Sequence, residues 1–187
     1  EPDERYPSAA DAANALLHVQ KHSSGHSSHL IRNIAVIGSR PGAGATHFAV
    51  SLVCTLRKRS VPALYMAAGK DRTLDAIARA NPHFKERDGI FYYEYFKGVP
   101  DYGDGVFFPL PADDCIVKDF GTDAPDLAKL ETSDFIFFLL SGADWDFTQS
   151  VTYAKQLALF PQTVFVCNHG NKRAAGAYAK HINRRVY

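Results

Sequence analysis

Apolar residues along this chain fall into short blocks whose period switches between strand-like and helix-like. Residues 34–37 (Ile-Ala-Val-Ile), 63–67, 135–140 and 163–168 are near-continuous apolar runs. Such runs suit strands covered on both faces. Residues 115–119 read as a further apolar strand that ends in Asp119-Phe120-Gly121. Between the runs, Phe48, Ala49, Leu52, Val53 and Leu56 recur at helical spacing. Leu74, Ile77 and Ala78 predict a short helix ending before Asn81-Pro82, and residues 148–160 predict one stopped by Pro161. Residues 172–187 form a basic helix candidate carrying Arg173, Lys180, Arg184 and Arg185. The aromatic run 90–96, bounded by Gly89 and Gly98, favours one more strand. Strands alternating with helices predict an α/β fold, a doubly wound and mostly parallel sheet flanked by helices, in one domain spanning 31–187. Residues 1–30 hold a helix candidate at 9–20, with Ala13, Leu16, Leu17 and Val19 as apolar members, and then a His/Ser linker.

The chemistry begins where the first strand ends. Gly38-Ser39-Arg40-Pro41-Gly42-Ala43-Gly44-Ala45-Thr46 lies between that strand and the first long helix. A glycine-rich loop in this place turns successive backbone N–H groups, and the positive end of the helix, toward one spot where a phosphate can sit. Against G-x-x-x-x-G-K-[ST], Gly44 and Thr46 match, Ser39 replaces the first glycine and Ala45 replaces the lysine. The plainer reading is a glycine-rich turn needed only for close packing of strand and helix.

The loop and its setting resemble the deviant P-loop ATPases of the ParA/MinD family, whose loop reads K-G-G-x-G-K-[ST]. The resemblance runs from about residue 31 to the C-terminus. It places Arg40 where the family has its signature lysine and Ala45 where it has the phosphate-binding lysine. It implies a nucleotide site made of Arg40, Gly42, Ala43, Gly44, Ala45, Thr46 and His47. Asn168, at the end of the last apolar strand, stands where related ATPases read the adenine. The Asp-x-Gly at Asp119 resembles the segment whose aspartate supports Mg²⁺, which makes Thr46 and Asp119 the candidate metal residues. Local sequence also allows Asp119 to cap a turn or helix, and Asn168 to be an ordinary strand-to-helix turn residue.

Several departures bear on activity. The aspartate that follows the family's second strand is missing, because that neighbourhood reads Ala67-Ala68-Gly69-Lys70, with Asp71 arriving late. Losing a charge-assisted hydrogen bond at Ala45 weakens nucleotide binding by roughly 10- to 100-fold. Transition-state stabilisation suffers more, by about 10²–10³ in rate. Pro41 also withdraws one backbone N–H from the anion. No catalytic residue is assigned.

Composition narrows the classes further. The 187 residues carry 21 Lys+Arg against 20 Asp+Glu, a formal net charge of +1, which gives no strong nucleic-acid signal. No apolar run approaches the ~20 residues needed to span a bilayer, and no signal peptide is visible, so a cytoplasmic location is expected. Cys54, Cys115 and Cys167 are widely spaced and read as small buried apolar residues, in a helix and two strands. His22, His26 and His29 invite a metal site, but their Ser/Gly background offers no fixed geometry. The aromatic stretch, with Tyr102, Phe107 and Phe108 beyond it, suits edge-strand packing first and base stacking or a partner surface second.

The resemblance and its departures together imply a degenerate ParA/MinD-like protein, TadZ/CpaE-like by analogy. It would bind ATP or ADP, with Mg²⁺, weakly or without turnover, and serve as a positioning or assembly factor with a protein partner or a homodimer. Two alternatives stand beside it: a partner-binding scaffold that uses no nucleotide, and an unconventional active ATPase in which Arg40 or a second subunit supplies the missing charge.

Overall fold

The computed structural model describes residues 10–15, 31–69, 73–100, 114–122, 127–142, 144–168 and 170–187. The His/Ser linker, Asp71, Tyr102, Phe107 and Phe108 lie outside the described residues. The first described helical turn, 10–15, buries Ala12 and Ala13 in the core of the sheet.

β1 (Asn33–Gly38) leads into α1 (Ala45–Lys58) and β2 (Ala63–Ala67). Then come α2 (Thr73–Ala80), β3 (Lys85–Arg87), β4 (Ile90–Tyr93), β5 (Phe96–Val99) and β6 (Cys115–Asp119). The chain closes with α3 (Leu127–Glu131), β7 (Phe135–Ser141), a 3-10 turn at Asp144–Asp146, α4 (Phe147–Leu157), β8 (Thr163–Asn168) and α5 (Lys172–Ile182). These strands form one sheet in the order β3-β4-β5-β2-β6-β1-β7-β8, parallel from β5 to β8 and antiparallel from β3 to β5.

The pleat divides the core in two, because successive residues of a strand face opposite ways. Ile34, Val36, Tyr65, Val117, Phe137 and Leu139 face α1, which supplies Phe48, Ala49, Leu52, Val53 and Leu56. Ala35, Ile37, Ile136, Phe138 and Leu140 face the other way, against Leu130 of α3, Val151, Ala154 and Leu157 of α4, and Ala175, Tyr178 and Ile182 of α5. Helices on both faces are what allow β1 and β7 to be apolar along nearly their whole length.

Two expectations need correction. The aromatic run is not one strand but β4, a turn and the first residue of β5, the middle of two hairpins whose two-residue turns are Asp88-Gly89 and Glu94-Tyr95. Asp88 and Gly89 both take positive φ, 53° and 75°, and Asp-Gly is a favoured pair for that turn because its twist matches the strands. Glu94 also turns with positive φ, 46°, which nothing in its side chain announces. These strands do extend the sheet to its edge, where all of β3 is exposed and charged, a composition that discourages further pairing.

The basic segment at the C-terminus is likewise not helical throughout. α5 stops at Ile182, Asn183 adopts the left-handed conformation, and the last residues run beside β8. Tyr187 N–H donates to the Phe165 carbonyl at 3.0 Å and its own carbonyl accepts from Cys167 N–H at 2.7 Å. Arg184 fixes this return by donating to the carbonyls of Ala158, Pro161 and Thr163 at 3.1–3.2 Å, with its guanidinium over the Phe165 ring. Arg184→Ala should therefore destabilise the protein by about 2 kcal/mol, the range for charged hydrogen bonds. The exposed Arg185→Ala should stay within about 0.5 kcal/mol of wild type. Urea denaturation of the two variants checks both values.

Candidate functional site

Gly38 is the last residue of β1, and from there the chain enters a loop at the carboxyl edge of the sheet. Its N–H donates to the Gly121 carbonyl, beyond β6, at 2.7 Å. The next N–H, of Ser39, donates to the Leu139 carbonyl of β7 at 2.9 Å. The loop is therefore anchored to both neighbours of β1. It then turns through Ala43 N–H to Arg40 carbonyl at 3.1 Å, and Gly42 and Gly44 take positive φ of 81° and 89°. A side chain is strained in that conformation, which accounts for glycine at both places.

Gly44 is the N-cap of α1, and the first intrahelical bond runs from Phe48 N–H to its carbonyl at 2.9 Å. The N–H groups of Ala45, Thr46 and His47 come before that bond, and no side chain caps them. They are the orphan donors of a helix start, at the positive end of its dipole. At the exposed Gly42 an added Cβ would meet nothing within 4 Å, so its positive φ and not crowding is what selects glycine there. Ala43 and Ala45 are buried, whereas His47 is exposed and Thr46 half-buried. Five of the candidate residues, Gly42 to Thr46, thus run consecutively from the loop into the start of α1, and the exposed His47 follows them.

Asn168 is brought to the same loop from β8. Its amide Nδ2 donates to the Ala43 carbonyl at 2.8 Å, across 125 residues of sequence. It ties the last strand to the loop backbone, and its Oδ1 still offers an acceptor.

Asp119 ends β6 and is buried. Its Oδ1 accepts from Gly121 N–H at 2.9 Å and its Oδ2 from the Tyr65 hydroxyl at 2.8 Å. The turn-capping reading of this aspartate is thus realised in the geometry, and no hydrogen bond among the described residues joins it to Thr46. Tyr65 escaped notice in the sequence, where it looked like one more strand residue. The register makes its role plain: Ala67 faces Asp119 across β2 and β6, and Tyr65 lies two residues back on the same face, a diagonal that a tyrosine can span.

Arg40 is paired with residues beyond β7. Its Nε lies 3.1 Å from Asp146 Oδ2, and its guanidinium sits 5.0 Å from the centre of the Trp145 ring. Ser39 and Ser141 meet beside it, with Ser141 N–H donating to Ser39 Oγ at 3.3 Å. The Ser141 carbonyl in turn accepts from the Tyr178 hydroxyl at 3.0 Å, and burial pushes that hydroxyl above its ordinary pKa.

Nucleophilic cysteine chemistry finds no support here. All three cysteines are unpaired thiols, and burial raises each, Cys115 to about 12, so none is a thiolate at neutral pH. Among the described residues no group of three His, Cys, Asp or Glu could hold a metal ion by itself. No described helix is long and apolar enough to cross a membrane.

No protein-family model and no curated protein sequence matches this chain. Solved structures do match it in fold. A ParA family ATPase from Chlorobium tepidum TLS superposes with a TM-score of 0.56 over 83% of this chain and 82% of its own, at 15% identity. A chain of the MinC:MinD cell division protein complex of Aquifex aeolicus gives 0.53 over 83% and 79%, at 10% identity. The fold is of the ParA/MinD P-loop type. At such identities the likeness shows architecture and leaves activity to the residues.

The buried Tyr65 to Asp119 bond gives a direct check on this edge. Tyr65→Phe should cost about 2 kcal/mol, since it strips a hydrogen bond from a buried carboxylate. In an Asp119→Asn background the same change should cost clearly less, and a double-mutant cycle in urea measures the difference.

Proposed function

We propose that this chain is a degenerate ParA/MinD-like P-loop protein that binds ATP or ADP weakly, or without turnover, and acts as a positioning or assembly factor. The observation that carries this reading is the glycine loop leading into the uncapped amides of Ala45, Thr46 and His47, with no lysine at position 45. On this reading the backbone amides supply one half of a phosphate site, and the lysine that would supply the other is absent.

The residues present fit a nucleotide at the phosphate end. The amides of residues 44–47 would receive the β- and γ-phosphates, and Asn168 stands at the sheet edge where a base would lie. The Thr46 hydroxyl would hold Mg²⁺, which supplies neutralisation of phosphate charge when bound, and Asp119 would join it only through lone pairs beyond those given to Gly121 N–H and the Tyr65 hydroxyl. Arg40 and Ala45 account for the expected loss of turnover. Arg40 is engaged by Asp146 and Trp145, and Ala45 offers a methyl group where charge is needed. A role in positioning, by way of a protein partner or a homodimer and on the TadZ/CpaE pattern, follows from binding without hydrolysis.

The reading in which nucleotide plays no part draws on the hairpins β3 to β5, where Tyr95 stands exposed and Phe91, Tyr92 and Tyr93 are half-buried. Such a surface suits a protein partner.

Calorimetry with Ala45→Lys separates the readings. The restored ammonium should tighten ATP binding by about 10-fold or more, the strength of a charge-assisted hydrogen bond. Steady-state hydrolysis should remain far below about 1 s⁻¹, an ordinary enzyme rate, in wild type and variant alike. If neither folded protein binds ATP, the scaffold reading replaces this one. Turnover near that rate, abolished by Thr46→Ala, would make the chain an active ATPase.

A further inference from the structure

Charge is distributed unevenly along this chain. All 20 Asp and Glu lie in residues 1–146, with 15 Lys and Arg, whereas residues 147–187 carry six Lys and Arg and no acid. The last segment thus holds a net charge of +6 and the remainder −5. That segment supplies α4 and α5, which pack together on the face of the sheet away from α1. Lys155, Lys172, Arg173, Lys180 and Arg185 are exposed on it. The acid nearest in sequence, Asp146, is held 3.1 Å from Arg40. Between α4 and α5 lies a cavity of about 500 Å³, within the range of ligand sites. Phe147 and Tyr178, ring centres 4.6 Å apart, line it with Ala174 and Ala177, and so do the exposed Asn171 and Arg173. Arg173, Ala177 and Lys180 recur at i, i+4 and i+7, so two cations and an alanine share one stripe of α5. Two residues before Phe147, Trp145 is 80% exposed.

We propose that the face formed by α4 and α5 docks an acidic segment of a partner protein, whose carboxylates meet Arg173 and Lys180 and one of whose aromatic side chains enters the cavity. The inference goes beyond the nucleotide reading and stands whether or not the loop takes a phosphate. Charge complementarity selects an anionic partner, since an approaching carboxylate meets cations and no acidic side chain of either helix, and the same field repels a basic partner. The cavity selects protein over nucleic acid. A phosphate backbone is held by a row of cations that follows it. The exposed side chains of α4 are instead Thr148, Gln149, Thr152 and Gln156, with Lys155 alone charged. Walls made of Phe147, Tyr178 and two alanines offer a phosphate nothing, whereas they bury an aromatic side chain that stands between flanking carboxylates. An exposed tryptophan beside the cavity is a residue type enriched at protein interfaces.

The test is fluorescence anisotropy on the full chain with a labelled synthetic peptide, glutamates around one central phenylalanine, and with its partner in which serine replaces the phenylalanine. A DNA oligonucleotide of the same net charge is the third probe. Wild type should bind the phenylalanine peptide at low salt and about 10-fold more tightly than the serine peptide, the worth of one well-buried aromatic anchor. Reversing both exposed cations, Arg173→Glu with Lys180→Glu, should weaken it by about 10-fold or more. Lys85→Glu, on the opposite edge of the sheet at β3, should bind as wild type does. Ala177→Trp fills the cavity and leaves the charge intact, so it should erase the difference between the two peptides. Should that variant fail to fold, the peptide pair on wild type still decides. No binding of the phenylalanine peptide at low salt, equal binding of the two peptides by wild type, or equal affinity in wild type and the double reversal overturns the proposal. Tighter binding of the oligonucleotide than of the phenylalanine peptide overturns it too, and makes this face a nucleic-acid surface.

Discussion

The loop depends on two hydrogen bonds at its root, Gly38 N–H to Gly121 and Ser39 N–H to Leu139. They exist because β1 lies between β6 and β7, both parallel to it, so the chain leaving β1 finds a carbonyl on each side. Connections from β1 and β6 cross the sheet on opposite faces, and ligands of open parallel sheets gather at the carboxyl edge where that reversal occurs. A loop anchored on both sides has little freedom to collapse onto α1. Its positive-φ glycines then raise the backbone clear of the helix start. The uncapped amides of α1 are a consequence of that anchoring as much as of the glycines.

The side chains gathered around this edge serve mainly to hold backbone. Asn168 secures the loop at Ala43, and Asp119 secures the turn at Gly121 whose carbonyl receives Gly38. Tyr65 completes the arrangement by satisfying the remaining oxygen of Asp119 in a buried setting, where an unpaired carboxylate would be costly. An edge assembled in this way can present N–H groups to an anion with high positional definition. It supplies little positive charge, because Ala45 has none and the charge of Arg40 is shared with Asp146. That imbalance is the physical basis for proposing binding without efficient turnover.

The two outer regions of the sheet are built by different means. On one side the hairpins β3 to β5 add an antiparallel extension whose aromatic rings, Phe84, Tyr93 and Phe96, pack over α2 and the edge of the α1 layer. Half-buried Lys97 and buried Asp114, 2.6 Å apart, link that extension to the start of β6. On the other side the C-terminal residues cover part of β8, with Arg184 satisfying three carbonyls that the chain reversal would leave bare.

Local pattern carried what depends on neighbours in sequence. The apolar runs determined β1, β2, β6, β7 and β8, and the 3.6-residue spacing determined the buried face of α1, since burial of one face follows from period alone. The glycines, Thr46 and Asp-x-Gly marked the loop and the strand end for the same reason: special backbone conformations and strand termini need particular residue types. Asp88-Gly89 carried a hairpin signal that the aromatic run around it obscured. What the sequence could not decide was pairing across distance. That Asn168 bonds Ala43, that Tyr65 reaches Asp119 and that Arg40 pairs with Asp146 depend on strand order and register, which bring residues 54 to 125 positions apart to within 3.1 Å. A carboxylate at a strand end or a helix start has several partners open to it in sequence, and only the packed sheet selects one.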